Sequence, residues 1–416
     1  VTTEQLTAPP AASWATRTYR VQTAATVVSG LGNAAAPIAT AFAVLAGGGG
    51  TAEVGYVTGA RLLPTVLFLL LGGALADRLP RHRVMVAANG FNALTQALLA
   101  ALVLSGHAGL WALLVLSAAG GIGQAFYGPA SQGVIMASIA PEHSTRAFSL
   151  YRMAQNAAQI GGAALGGALT AAVGPGWVLA IDALGFAVAA ALRLLIPAEE
   201  AGSGHGGTGI LTELREGWRE FIGRQWLWAI VVQFGIVTAC VEAAETVYGP
   251  VVAEQRLGGA SAWGLAMAAF GLGMVLTGIP MTAWRPRRIL LAGNWGVFLF
   301  ACPALALALH LSLPLIATAM FASGAGVTLF GVNWMIALQQ EIPPALLSRV
   351  SAYDSLGSIC LTPLGTVLAG PAATALTLDG ALWTCALTTF LLAALALLAP
   401  EVRTLARTEP TPTEAP

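Results

Sequence analysis

Gly73-Ala-Leu-Ala-Asp77-Arg78-Leu-Pro80-Arg81-His82-Arg83 places one acid and a cluster of cations in a short turn between two long apolar runs. Asp77 falls at the C-terminal end of the first run, where the helix dipole already presents negative charge. A carboxylate there is unfavourable unless a cation or the N-terminus of another helix approaches it. The turn therefore reads as one half of an electrostatic latch. The flanking runs, residues 54–76 and 84–105, are each long enough for the ~20 residues that a helix needs to cross a bilayer.

The rest of the chain has the same character. Of its 416 residues, 56% are hydrophobic and 9% charged, against a charged share of about 25% in soluble domains. Its 49 glycines and 22 prolines fall largely inside apolar runs, where membrane helices tolerate them and use glycine for close packing. A formal net charge of zero leaves no basic footprint for nucleic acid. Cys240, Cys302, Cys360 and Cys385 lie in apolar runs without CxxC spacing. They indicate neither a disulfide framework nor a zinc site, and read as small buried hydrophobes. The N-terminal residues are polar up to about Arg20, unlike a cleavable signal peptide.

The length rule predicts twelve membrane helices, at residues 19–45, 54–76, 84–105, 110–139, 147–173, 176–196, 226–253, 262–284, 289–309, 313–340, 347–373 and 380–399. Between the sixth and seventh, a Gly-rich stretch precedes residues 210–221, which read as an amphipathic surface helix. The expected organisation is a six-helix bundle in 1–197, a cytoplasmic linker in 198–225, and a second bundle with a short tail in 226–416. With both termini cytoplasmic, 17 of the 19 basic residues fall on the inner side, leaving Arg61 and Arg256 towards the other. Trp111, Trp177, Trp263 and Trp383 would mark the outer interface, and Trp226, Trp228 and Trp284 the inner one.

The halves repeat. Gly128, Pro141 and Arg146 recur as Gly331, Pro344 and Arg349, each 203 residues later, and Arg83 and Asn89 recur as Arg288 and Asn294. Duplicated six-helix halves about an axis along the membrane normal place a substrate site between them near the midplane.

On these residues the chain resembles the major facilitator superfamily over essentially its whole length. The 73–83 turn is similar to that superfamily's signature between spans two and three, with Pro80 where glycine is usual. The second-half copy, Gly278 through Arg285-Pro-Arg287-Arg288, keeps the cations but has Thr282 in place of the acid. Ala60-Arg61-Leu-Leu-Pro64-Thr, Tyr248-Gly-Pro250 and Arg349-Val-Ser-Ala-Tyr353-Asp354-Ser-Leu-Gly357-Ser resemble the drug and siderophore exporters, including enterobactin-exporter-like and macrolide-efflux-like proteins. The resemblance implies an all-α fold of two six-helix bundles, no cofactor, and a monomer in a bacterial cytoplasmic membrane. It also implies that Asp77, with Arg78, Arg81 and Arg83, caps span eleven at Ser348, Arg349 and Asp354 when the inner gate shuts. Two departures touch the coupling mechanism. Span four has no arginine in Leu116–Gln124, and Gly162-Ala163-Ala-Leu-Gly166-Gly167 lacks the proline of the antiporter signature.

Ionisable residues within spans are costly and mark site candidates. Glu242 and Glu245, spaced i,i+3 on one predicted helix face, suit proton loading and release; the alternative is that they line a wet outer mouth. Arg61 could neutralise either glutamate, or form a structural ion pair with Asp182. Asn33, Gln124, Tyr127, Asn156, Gln159, Gln233, Asn333 and Trp334 could line a mildly polar, aromatic cavity, although each could also serve as helix–helix glue.

Other classes fit poorly. The five histidines lie in loops or at span ends, and no GxxxxGK[ST] motif or repeated filter is found. The expectation is a proton-coupled exporter of an amphiphilic small molecule, with import or facilitation, or a receptor without transport, as alternatives.

Overall fold

The structure, a computed structural model, describes residues 15–78, 80–139, 143–196, 218–281 and 283–407. The first half comprises α1 (Arg17–Ala46), α2 (Thr51–Arg78), α3 (Arg81–Leu104), α4 (Leu110–Ala137), α5 (Ser144–Val173) and α6 (Pro175–Leu194). The second comprises α7 (Gln225–Leu257), α8 (Ala260–Met281), α9 (Ile289–Ala308), α10 (Leu313–Glu341), α11 in two parts (Pro344–Ile359 and Thr362–Leu376) and α12 (Leu378–Ala396). No strand occurs among the described residues.

Among the described residues, ten helices are long and apolar enough to cross a membrane. The other two, α2 and α5, are 28 and 30 residues long. Arg152, Gln155, Asn156 and Gln159 make α5 more polar, while the 59–76 stretch of α2 is apolar but for Arg61 and Thr65. Some of these same residues reappear below around the central cavity.

Local sequence explains the breaks. Pro303 and Pro363 each stand in the first turn of a second helical part, after interruptions at residues 300–301 and 360–361. Proline has no N–H to continue the preceding ladder and clashes with the carbonyl four residues back. The spans predicted at 289–309 and 347–373 are therefore broken rather than continuous. The seventh span runs past its predicted end at residue 253 to Leu257, through two π-helical segments, Ala243–Tyr248 and Ala253–Leu257. It stops at Gly258 and Gly259, both with positive φ (93° and 85°), a conformation that costs glycine little.

Helix packing repeats in the two halves. In the first, α1 packs on α5 and α6, α2 on α4, and α3 on α4 and α6. In the second, α7 packs on α11 and α12, α8 on α10, and α9 on α10 and α12. The halves join through α2 against α11 and α5 against α8. A two-fold exchanging α2 with α8 and α5 with α11 relates these two contacts.

Glycine sets their closeness. A Cβ on Gly55 or Gly59 would strike Thr366 or Val367 of α11, and one on Gly370 would strike Ala52 of α2. Gly167 of α5 and Gly264 of α8 meet backbone to backbone. These contacts lie towards the end that carries the α1–α2, α5–α6, α7–α8 and α11–α12 loops.

Two predicted interface tryptophans lie elsewhere. Trp263 is 1% exposed, with its ring against Gly249, and Trp226 is 3% exposed, edge-on to Trp334. Trp111, Trp177, Trp228, Trp284 and Trp383 are exposed, as an aromatic belt requires. Arg193, counted from sequence among the inner-face arginines, is fully buried inside the first bundle. Of the predicted amphipathic linker helix, residues 218–222 are helical, with Trp218 beside Tyr353 of α11; residues 210–217 lie outside the described residues.

Candidate functional site

A cavity of about 260 Å³ opens between α1, α5 and α8. Asn33, Asn156 and Gln159 line it from the first half, and Met267, Phe270 and Met274 from the second. One wall is thus made of amides and the other of thioethers and an aromatic ring. No charged residue lines it among the described residues. The α8 wall escaped the sequence reading because apolar residues in an apolar span carry no chemical signal. Their spacing, 267, 270 and 274, does place them on one helix face.

Behind the amide wall sits a charged layer. Arg61 Nη2 donates to Asn33 Oδ1 at 2.8 Å. Asp182 of α6 is fully buried and accepts from Gln96 Nε2 of α3. It also has an electrostatic interaction with Arg61, although no ion pair joins the two within 4.0 Å among the described residues. Gly32 lets α1 pass directly over Asp182, because any Cβ there would occupy the space of its carboxylate.

Tyr127 lies in a second, largely buried network of the first half. Arg193 donates through Nε to Gln22 Oε1 (3.1 Å) and through Nη2 to Thr26 Oγ1 (3.1 Å) and the Tyr127 hydroxyl (2.7 Å). Its guanidinium also stacks 4.8 Å from the Tyr127 ring centroid. Ser131 bridges Gln22 and Tyr151 at 2.8 and 2.7 Å. The network ties α1, α4, α5 and α6 together through neutral partners. Arg193 follows Asp182, Phe186 and Ala189 on one buried helical face, a period that was readable in the sequence.

The other polar candidates pack inside the second half. Gln233 Nε2 donates to Asn294 Oδ1 at 3.0 Å, joining α7 to α9. Asn333 is 1% exposed and turns its amide N–H onto the Leu329 carbonyl of its own helix. Trp334 Nε1 donates to Asp354 Oδ2 at 3.1 Å, and Ser358 also bonds that carboxylate. Gln124 is half-buried on α4, outside the cavity lining.

The two glutamates differ in burial. The first π segment begins between them, at Ala243. A π turn takes more residues than an α turn, which turns Glu245 away from its α-helical i,i+3 position, while the two carboxylates still interact electrostatically. Glu245 is buried in a crevice between α7, α9 and α12, with Cys240, Phe300, Pro303, Cys385 and Thr389 around it. Its Oε1 has no hydrogen-bond partner. Glu242 is half-buried, and among the described residues neither glutamate makes an ion pair. Arg61 engages Asn33 rather than either acid.

The side chains of Asp77, Arg78, Ser348 and Arg349 lie outside the described residues, while Arg81 and Arg83 open α3.

Two helix bundles enclosing a cavity at their interface are the architecture of an alternating-access carrier. The family profile described as Major Facilitator Superfamily matches residues 22–357. The chain belongs to that superfamily. This facilitator is 28% identical over 326 residues to the MFS-type transporter YfiS of Bacillus subtilis (strain 168), covering 74% of this chain and 76% of that one. Its fold is similar to the crystal structure of the nucleoside transporter NupG, with a TM-score of 0.71 at 12% identity, covering 92% and 99% of the two chains. It is also similar to a POT family transporter in complex with 5-aminolevulinic acid, with a TM-score of 0.74 at 11% identity, covering 93% and 96%. A bacterial homologue of the human lysosomal transporter Spinster, in an inward-facing and unoccupied conformation, aligns with a TM-score of 0.68 at 16% identity over 97% and 100%. The facilitator is thus a membrane transporter of the superfamily, with no strand among the described residues.

Proposed function

We propose that this facilitator is a secondary active exporter of an amphiphilic small organic molecule, of the drug, antibiotic or siderophore kind. It works as a monomer in a bacterial cytoplasmic membrane, with both termini and the arginine-rich helix ends in the cytoplasm. The observation that carries this reading is the two-faced cavity, with Asn33, Asn156 and Gln159 opposite Met267, Phe270 and Met274. A sugar would call for denser hydrogen bonding, and a phosphate for cations in the lining.

In the proposed cycle the halves rock about this cavity. The glycine contacts of α2 with α11 and of α5 with α8 hold the outer end closed in the present arrangement. Closure of the inner end brings Asp77 and its arginines to the start of α11, near Ser348 and Arg349. Inward proton movement supplies the drive. Glu245 is the leading carrier because it is a buried acid with an unpartnered oxygen in a π-widened turn, and Glu242 stands three residues before it in the chain.

Accumulation of a panel of amphiphilic antibiotics and siderophores in a pump-deficient bacterial host tests this reading, comparing wild type with Glu245→Gln, with and without a protonophore. Lower accumulation that is lost with the protonophore and with the variant supports proton-driven export. Efflux that survives both refutes the role of Glu245. Accumulation raised above the host background reverses the direction.

A further inference from the structure

We propose that Arg61 is a positioning residue that fixes the polarity of the Asn33 amide. The cavity then offers a hydrogen-bond donor to a carbonyl-type oxygen on the transported molecule. The inference rests on the reading of the α1/α5/α8 cavity as the substrate site, and it adds which chemical group that site selects.

The argument starts from donor and acceptor chemistry. A guanidinium has N–H donors and no acceptor, so whatever faces it must accept. Arg61 Nη2 lies 2.8 Å from Asn33 Oδ1, and a charged donor makes this bond stronger than one between neutral groups. Flipping the Asn33 amide would set two donors against each other. Its oxygen is therefore committed to the protein, and the NH2 group is the part left for a ligand. Asn33 lines the cavity, while Arg61 does not. Asn33 Nδ2 has no protein partner among the described residues and is not among the sealed, unsatisfied atoms of the interior. It remains available to a ligand.

The other two amides behave differently. Asn156 and Gln159 are exposed on α5 and have no hydrogen-bond partner among the described residues, so each can turn to donate or to accept. The wall therefore combines one amide of fixed polarity with two adaptable ones. Opposite them, Met267, Phe270 and Met274 offer only soft apolar surface. The charge needed to orient Asn33 stays out of the cavity. Asp182, buried and held by Gln96, supplies the opposing charge from behind Arg61. The transported molecule thus meets a neutral surface that discriminates by hydrogen-bond polarity. An amide, ester or ketone oxygen next to an aromatic or aliphatic body matches it.

The test uses two probes that differ in one carbonyl oxygen, N-naphthylacetamide and N-ethylnaphthylamine. Binding is followed by naphthalene fluorescence on the full-length protein in lipid nanodiscs. Wild type should bind the acetamide about 3- to 10-fold more tightly, the range expected for one net hydrogen bond. Arg61→Leu frees the Asn33 amide, and Asn33→Asp replaces its donor with an acceptor. Both should bring the ratio towards one, because an oxygen of residue 33 can then accept from the N–H that both probes carry. Arg61→Lys keeps a charged donor and should retain the preference. Because both affinities come from the same sample, a loss of folded protein cancels in the ratio. A wild type that binds both probes equally overturns the proposal, as does an unchanged ratio in Arg61→Leu. Equal weakening of both probes in Arg61→Leu shows a purely structural arginine and overturns it too. If wild type binds neither probe, or if Phe270→Trp leaves both affinities intact, the cavity is not the substrate site and the proposal falls with that reading.

Discussion

Adding a single methyl group at Gly167 should push the transporter out of the arrangement seen here. Gly167 on α5 and Gly264 on α8 meet with no side chain between them. A Cβ on Gly167 would lie 2.7 Å from the Ala260 carbonyl oxygen and 2.8 Å from the Gly264 backbone nitrogen. Comfortable non-bonded contact between carbon atoms begins at about 3.5 Å. The Gly264 Cα lies closer still, so the two helices must separate by roughly 1 Å, and because the obstructing atoms are backbone, no rotamer change relieves the overlap. Overpacking of this size costs about 1–3 kcal/mol. The cost falls only on the state in which α5 and α8 touch, so it shifts the balance between conformations by about 5- to 150-fold. The shift can be read with a reporter, Gln159→Cys in the cavity, after replacing Cys240, Cys302, Cys360 and Cys385 with alanine. In oriented vesicles, Gly167→Ala should speed labelling by an impermeant maleimide from the side opposite the arginine-rich ends, and slow it from the other. Unchanged rates on both sides, in a variant that remains monodisperse, would refute the idea that this contact opens and closes in the transport cycle.

The structure makes further predictions. Asp182→Asn removes the charge facing Arg61 but keeps an acceptor for Gln96, and should melt above Asp182→Leu in a detergent thermal-shift assay, because the leucine also strands a buried amide at a further cost of about 1–3 kcal/mol. Asp379 accepts from Arg256 at 3.1 Å and bonds His310 at 2.9 Å, but these side chains are 34–51% exposed. Asp379→Asn should therefore change stability by less than about 1 kcal/mol, and a larger drop would mean that this cluster clamps the loops of the second half. Trp334→Phe keeps the aromatic stacking with Phe330 but removes the Nε1 donor to Asp354. It should cost about 0.5–1.5 kcal/mol in the same assay, and no loss would show that Ser358 alone satisfies the carboxylate.

Much of this transporter is decided by its sequence alone. Hydropathy and length depend on consecutive residues, so the helices, their number and the division into similar halves follow without knowledge of tertiary contacts. The 203-residue repeat of Gly128, Pro141 and Arg146 foreshadowed the matching packing of the halves. The polar stretch of α5 is readable too, and Asn33, Asn156 and Gln159 stand out in the sequence as residues that could face a cavity.

Tertiary structure decided which of the other polar residues face inward, and towards what. In an all-apolar chain every helix face can be buried, so a polar residue has no solvent side to indicate its direction. Gln233, Asn333 and Tyr127 look no different in sequence from Asn33, yet they bond within a bundle while Asn33 reaches the interface between bundles. The glutamate pair shows the same limit. The i,i+3 rule assumes an α-helix, and the π turn that starts at Ala243 rotates Glu245 into the crevice beside Cys385. Arg193, in the last turn of α6, reads in sequence as a surface anchor, and only the convergence of Gln22, Thr26 and Tyr127 from two other helices makes its burial possible. Local rules set where the chain crosses the membrane. The cavity exists only where helices distant in sequence meet, because its polarity comes from α1 and α5 and its apolar wall from α8.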